Sequence, residues 1–441
     1  MFSIYMMMLF LMAIPVGSNR DWAWPFLAAI LSGLTIYLVV VNLRSGGRLI
    51  TSSSSGIMLV AFAILIFWMC FQWYGIPFLM SPITIDQFST HKDILKTVAY
   101  GCVFVLTLGF VNTRLRISII VYVIVMAGLL QTVIGIYGAL KGYTSLASGT
   151  FPNSNHFAGF LEMVLSLGIG MMIATQHSGS GAGEGRLKGI LDTVTGPRGR
   201  LRLMLVIMVI GLVMSTSRMG NIAFLSGLLI ASVLSLAIGR KLNLTTLVFL
   251  ASIILIDALI IGNYFGIERI ANRIQNFDQH RDIVSRVEIN EHSLRMIKDR
   301  SFMGSGAGTY DLLFPQYRLP EVDVRVTNAE NDYFEFLVEL GFIGSLPLLL
   351  IVVIGLSTQL QMMRNQNSQF EKGIAFGCLM GTVSLLIHSA GDFNLQIPSN
   401  AVLFVVLLSL PQAMKENRLV GALGNSSVVR DPDLAQPDTS E

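Results

Sequence analysis

Charge is what this chain has least of. Asp, Glu, Lys and Arg together make up 13% of its 441 residues, against about 25% in a soluble domain. So little charge cannot solvate a whole surface, which excludes an ordinary soluble enzyme or scaffold. Cysteine is scarcer still. Cys70, Cys102 and Cys378 all fall inside apolar runs. They form neither a disulfide framework nor a paired-thiol metal site, and they read as packing residues. Histidine supplies no ligand set either, because His156 and His388 lack an HxxxH or cysteine partner. No metal, cofactor or nucleic acid is expected. Residues 1–17 are apolar but lack a basic lead-in and an A-x-A-like end. They read as the first membrane helix, not as a cleaved signal.

Long apolar runs are what is present. The chain is 53% hydrophobic, and its apolar stretches approach the roughly 20 residues needed to cross about 30 Å of hydrocarbon. The short alternating segments of a closed barrel do not occur. The pattern predicts an all-α polytopic membrane protein with twelve spans, near 2–17, 22–43, 56–75, 97–113, 117–138, 156–175, 203–217, 219–238, 244–262, 332–356, 373–391 and 397–414. Spans one to nine occupy 1–262, and a polar loop with short amphipathic helices occupies 263–331. Spans ten to twelve occupy 332–414, and 415–441 reads as a disordered tail. Alternate connections and the tail carry sixteen basic residues, while the opposite short loops carry only Arg20, Lys92, Lys96, Lys141 and Arg218. The positive-inside rule then puts both termini in the cytoplasm and the long loop outside.

That loop organises the chain. Over 263–331 it holds nine Lys/Arg and ten Asp/Glu. Asp282 to Lys298 reads as an amphipathic helix, with Ile283, Val287, Leu294 and Ile297 on one face and Arg286, Glu291 and Arg295 on the other. Gly304-Ser-Gly-Ala-Gly308 reads as a tight turn; no strand precedes it, so it is no dinucleotide fingerprint. Glu330 and Asn331 then lead into the tenth span, where Asp332, Glu335 and Glu339 share a helical face. The helix dipole favours first-turn carboxylates by ~0.3–1 kcal/mol. Glu339 lies deeper and has to face the bundle interior.

Other polar groups sit near the outer ends of spans. Arg218, in Ser215-Thr-Ser-Arg-Met-Gly220, is either a snorkelling anchor or a phosphate ligand at the junction of spans seven and eight. Asn155 and His156 open span six ahead of Glu162. His388 and Asp392 lie four apart at the end of span eleven. Asp257 is a further acid, within span nine. A transporter or flippase of lipid-linked sugars, the competing reading, would concentrate such groups at the midplane on broken helices. No repeat relates the two halves.

Taken in order, five motifs resemble the O-antigen ligase and O-antigen polymerase superfamily over about 150–400. They are Phe151-Pro-Asn-Ser-Asn-His-Phe-Ala-Gly-Phe-Leu-Glu162; Ser215-Thr-Ser-Arg-Met-Gly220; Met303-Gly-Ser-Gly-Ala-Gly-Thr-Tyr310 with Phe314-Pro-Gln-Tyr-Arg318; Asn331-Asp-Tyr through Gly341-Phe-Ile-Gly344; and His388 through Asp392-Phe-Asn-Leu-Gln-Ile-Pro398. The resemblance implies a metal-independent glycosyltransferase of the bacterial inner membrane. Its donor would be an undecaprenyl-diphosphate-linked oligosaccharide. Its acceptor would be another glycan, lipid A-core or, in related enzymes, a protein hydroxyl, in O-antigen or exopolysaccharide assembly alongside other assembly proteins. Arg218, Arg286 and Arg318 match arginines of that family and would hold the diphosphate. Ligases carry His-Asn where this chain has Glu330-Asn331, so Glu330 takes the base role, with Asp332 next, and a polymerase is as well supported as a ligase. Asn331, Asn155, His156, His388 and Asp392 carry over as substrate-binding positions.

The charge asymmetry makes a direct prediction. Periplasm-active reporter fusions within Asp282–Tyr317 should be active, and those after Arg44 or Arg116 inactive. The reverse pattern overturns the orientation.

Overall fold

The structure is a computed structural model and describes residues 1–20, 22–46, 49–75, 81–175, 196–238, 277–317, 326–364 and 368–428. The expected span at 244–262 with Asp257, and Arg318 in the loop, lie outside these residues. Every described regular element is helical. In chain order they are α1 (Phe2–Leu11), α2 (Ala23–Arg44), α3 (Ser53–Tyr74), α4 (Gln87–Phe110), α5 (Arg114–Leu140), α6 (Ser154–Ala174), α7 (Pro197–Met214), α8 (Arg218–Ala237), α9 (Phe277–Asp299), α10 (Tyr310–Leu313), α11 (Asp332–Arg364), α12 (Gln369–His388) and α13 (Pro398–Val428). Among the described residues, eight of these are long and apolar enough to cross a membrane: α2 to α6, α8, α11 and α12.

Several boundaries differ from expectation for identifiable reasons. The first helix stops at Leu11 instead of 17, because the ring of Pro15 would strike the carbonyl of the residue four before it, which is Leu11. Helix α4 starts at Gln87, ten residues ahead of the expected 97, where the Asp86 side chain accepts from Ser89 N at 2.8 Å and caps it. That start brings Asp93 and Lys96 into the helix. Helix α13 continues through Val428, so the segment from 415 to 428 is helical where a disordered tail is expected. Its extension is tied down: Glu416 accepts from Thr51 N at 2.7 Å and Ser52 N at 3.0 Å, Asn417 donates to Val111 O at 3.1 Å, and Arg418 pairs with Glu371.

Helix α6 is the centre of the bundle. Every residue from His156 to Ala174 is buried, as befits a helix that is apolar on all sides. It packs closely on α12 through small residues. A Cβ added at Gly170 would lie 2.7 Å from both Gly373 O and Gly377 Cα.

The helix ends fall into two levels. One gathers the start of α3, the α4–α5 turn, Ser368 and the end of α13. The other gathers 84–86, 147–157, 301–310, 326–332 and 389–397, linked by bonds such as Ile85 N to Ser305 O at 3.0 Å and Asp332 N to Ser389 O at 3.0 Å. This second level carries the polar residues singled out from the sequence.

Helix α11 is broken at Gly341, whose φ of 66° and ψ of −178° are not helical. The break frees carbonyls just before it, and each finds a donor. Ser305 N bonds Val338 O at 2.9 Å, Gly306 N bonds Glu339 O at 3.0 Å, Gln72 Nε2 bonds Glu339 O at 2.8 Å, and Trp68 Nε1 bonds Leu340 O at 2.9 Å. Buried backbone groups must be satisfied in this way wherever a membrane helix is interrupted. Gly341 occupies a backbone region that is essentially glycine-only, costing about 1–3 kcal/mol for other residues. Gly341→Ala should therefore lower stability by at least about that amount, since a Cβ there would also collide with Phe302 O, and reduce the melting temperature of purified protein. An unchanged melting temperature would show that the break is not strained.

Candidate functional site

The nine residues before the break carry three buried carboxylates, each fastened to the backbone of a different segment. Asp332 accepts from Leu395 N at 2.9 Å. Glu335 accepts from Asn328 Nδ2 at 2.7 Å and Ala329 N at 2.8 Å. Glu339 accepts from Tyr310 N at 3.0 Å, so it does face the interior. Asn331 caps this helix: its Oδ1 accepts from Tyr333 N at 2.9 Å, and its Nδ2 donates to Ala390 O at 3.1 Å. Buried carboxylates are costly unless they are hydrogen-bonded. Here they use that requirement to hold the 328–332 and 389–397 segments against the helix.

Beneath these segments lie two histidine–carboxylate contacts. His388 Nδ1 is 3.3 Å from Glu162 Oε1, and both side chains are fully buried. His156 Nε2 is 3.4 Å from Asp392 Oδ1, an oxygen that accepts from Phe393 N at 2.8 Å. The His156 ring meets the Phe393 ring edge-on at 4.6 Å. Asn400 Nδ2 donates to His156 O at 3.0 Å and to Asn394 Oδ1 at 3.1 Å. Among the described residues, Glu162 Oε2, Asp392 Oδ2, His156 Nδ1 and His388 Nε2 are buried with no hydrogen-bond partner. Burial acts to raise the Asp392 carboxyl, but the His156 contact and the nearby His388 and Arg286 charges outweigh it and hold the group below its ordinary value.

Above the histidines lies positive charge. Arg286 Nη1 donates to Gly391 O at 2.8 Å and sits 3.2 Å from Glu330 Oε2, both side chains remaining partly exposed. The sequence reading sets Arg286 opposite the apolar face of its helix, and the structure corrects this. The packed face of α9 carries Ile289, His292, Ser293, Met296 and Ile297, and Leu294 points outward. Arg286 lies one turn before Ile289 and two before Ser293, so it belongs to the packed stripe. The Tyr310 hydroxyl shares a 2.7 Å hydrogen bond with Ser293 Oγ, and burial pushes it above its ordinary pKa, so it stays neutral.

Arg218 is the first residue of α8, after Ser217, whose Oγ accepts from Gly220 N at 3.2 Å. Thr216 just before it has φ 55°, an uncommon conformation for a branched residue. Arg218 is exposed. Its neighbours connect it to the cluster: Met219 lies beside Gly391, and Gly220 beside His388 and Ala158. A cation at the positive end of a helix gains nothing from the dipole, so an arginine placed there suits an anionic ligand. Asn155, on the first turn of α6, donates its backbone N–H to Asn153 Oδ1 at 2.8 Å.

The structure therefore brings Arg218, Arg286, Glu330, Asn331, Asp332, His156, His388 and Asp392 to one end of the bundle. Sequence reasoning missed Asn400, and it gave Phe393 and Asn394 no role beyond their place after Asp392 in the fifth motif. It also set Asp93 and Lys96 aside as loop residues. Among the described residues, no group of three or more His, Cys, Asp or Glu side chains is arranged to hold a metal ion.

A multi-pass helical membrane protein with arginines poised over buried carboxylates at one rim is the class that these features define. More specifically, the family model described as O-antigen ligase matches residues 203–349, the stretch that holds Arg218, Arg286, Glu330 and Asp332. Over that third of its length the chain is similar to the O-antigen ligase family, in line with the resemblance of its motifs. A comparison with curated proteins gives no match.

The lowered Asp392 carboxyl sets a pH dependence. Its ionised form is favoured by folding, so it stabilises fully above the ordinary carboxylate value of about 3.9 and ceases to as pH falls through the lower folded value. Asp392→Asn should melt below the unmodified protein at neutral pH, with the gap narrowing below about pH 4. A gap that is constant or widening on acidification would contradict the ionised assignment.

Proposed function

We propose that this protein is an inner-membrane glycosyltransferase. It transfers a glycan from undecaprenyl diphosphate to an acceptor glycan at the periplasmic face, as an O-antigen or exopolysaccharide polymerase or an O-antigen ligase does. The observation that carries this reading is the Arg286–Glu330 contact, 3.2 Å long and part-exposed, on the rim beside Arg218 and within the matched family segment. Planar guanidinium groups bind phosphate oxygens bidentately. Fixed positive charge of this kind stabilises a departing diphosphate.

In this mechanism Arg286 exchanges Glu330 for the donor's diphosphate, with Arg218 and Arg318 completing the clamp. The Glu330 carboxylate accepts the proton of the acceptor hydroxyl. The acceptor oxygen forms its bond to the anomeric carbon as that carbon's bond to the phosphate oxygen breaks. Undecaprenyl diphosphate leaves with the electron pair. Asp332 is a weaker candidate for the base, because one of its oxygens is committed to Leu395 N. A flippase uses polar groups at the midplane, whereas the cluster described here is at one end of the helices.

Removing a preorganised cation costs about 10²–10³ in rate, and removing a general base about 10²–10⁴. Arg218→Ala, Arg286→Ala and Glu330→Gln should each slow transfer from a lipid-linked donor by such factors, measured in membranes with the protein level held equal. Full activity in both arginine variants would reject the clamp. An unchanged Glu330→Gln rate would pass the base role to Asp332.

A further inference from the structure

Two adjoining cavities lie apart from the rim described above, and neither is lined by Arg218, Arg286 or Glu330. One, of about 420 Å³, is an apolar crevice along α3, α4, α11 and α13, lined by residues such as Phe62, Phe336, Leu349, Phe404 and Val405. It opens on the outside of the bundle, where Leu346 and Leu349 are 63% and 59% exposed. Its lining on α13 runs from Ala401 to Leu408, about 10 Å of helix, which fits within one leaflet's half of the ~30 Å hydrocarbon. The other cavity, of about 190 Å³, is polar and is lined by Asn328, Tyr310, Asp311 and Phe393 among others. Asp93, Lys96, Glu339 and Gln396 line both. At this boundary Lys96 Nζ is 2.7 Å from Asp93 Oδ1, with both side chains mostly buried, and 5.8 Å from the Trp24 ring centre.

We propose that the two cavities form one binding site for a glycerophospholipid with an ethanolamine head, held as a resident lipid. The inference goes beyond the transferase reading and uses none of its substrates; the donor's diphosphate stays with the arginines. The Lys96–Asp93 pair carries the argument. A lone anion that took Lys96 would strand Asp93 as a mostly buried charge without its partner, a costly outcome. A zwitterion replaces both halves of the pair at once. Its phosphate takes the Lys96 ammonium while its own ammonium takes the Asp93 carboxylate. In an ethanolamine phospholipid those two charges are neighbours, and the acyl chains lie on the phosphate side. The site has the same order. The crevice receives an acyl chain on one side of the pair, and the polar pocket receives the head on the other. A primary ammonium carries N–H donors, and Asp93 and Asp311 offer carboxylate oxygens to accept them. The rings of Tyr310 and Phe393 add faces that attract a cation. A choline head has the charge but no N–H donor, and a glycerol head has no cation, so both are poorer fits. Trp24 beside the lysine marks the interfacial level, where tryptophan is enriched at the headgroups.

The test uses the full protein, purified in detergent, stripped of lipid and offered equal amounts of phosphatidylethanolamine, phosphatidylcholine and phosphatidylglycerol with the same acyl chains. Native mass spectrometry should find the ethanolamine lipid bound at least about fivefold more than either of the others. Asp93→Asn combined with Lys96→Met removes both charges and should bring the three lipids to near equality. A phosphatidylethanolamine with a photoreactive group in its acyl chain should label Leu346–Val352 and Phe404–Leu408. Ala401→Phe, which fills the crevice, should reduce that labelling by a similar factor. Melting temperature confirms that the variants fold; where one does not, the lipid ranking in the unmodified protein decides alone. Equal retention of the three lipids would mean annular lipid only and would overturn the proposal. A preference for choline or glycerol heads, or labelling elsewhere, would overturn it too, as would displacement of the ethanolamine lipid by a polyprenyl-diphosphate sugar at equal concentration. None of these readouts needs turnover, so they stand or fall separately from the transferase reading.

Discussion

One glycine fixes the geometry on which the candidate site depends. The break at Gly341 turns the first part of α11 away from the helix that follows it. It also releases carbonyls that only neighbouring segments can satisfy. The turn around Gly304 and Gly306 supplies backbone donors, and α3 supplies Trp68 and Gln72. The polar loop is thereby latched to the membrane bundle by backbone bonds, which do not depend on the chemistry of any one exposed side chain. Arg286 is delivered to Gly391 by a helix whose own small core includes Ile289, Met296, Tyr310 and Val338, the last of these on the broken helix itself.

The carboxylates at this rim divide by what they are bound to. Asp332, Glu335 and Glu339 are engaged with backbone N–H groups and act as fasteners. Glu162 and Asp392 lie against imidazoles in full burial. Glu330 alone among these is part-exposed and paired with an arginine. In the proposed mechanism a diphosphate competes with the part-exposed Glu330 for Arg286, whereas competing for the buried groups would dismantle the connections that shape the site. This difference in accessibility is why the proposal gives the base role to Glu330.

Much of this was legible in the sequence. Apolar run length set the helical membrane class, and the positions of Arg218, Glu330, Asp332, His388 and Asp392 near span ends marked a single rim. Spans were blurred where hydropathy alone drew the line. A charge pair inside a helix reads as a loop, which is how Asp93 and Lys96 were placed ahead of a span starting at 97. Pro15 shortened α1 through a steric clash that a hydropathy window does not register. The face of α9 was misread because Ser293 and His292 pack inward, through Tyr310 and Phe314, while Leu294 does not. The His388–Glu162 contact joins residues 226 positions apart, a pairing that no local pattern encodes.

The broken helix also bears on biogenesis. Three carboxylates within nine residues make 332–340 a poor segment for the insertion machinery, at about 2.5–3.5 kcal/mol for each acid carried to mid-bilayer. The groups that relieve that cost, on α3, the 301–310 turn and the 389–397 connection, come from both earlier and later parts of the chain. The segment is therefore best delivered late, folding from the aqueous side onto helices already in the lipid. Assembly of the candidate site's rim would then be the closing event of the protein's maturation, after its topology is set.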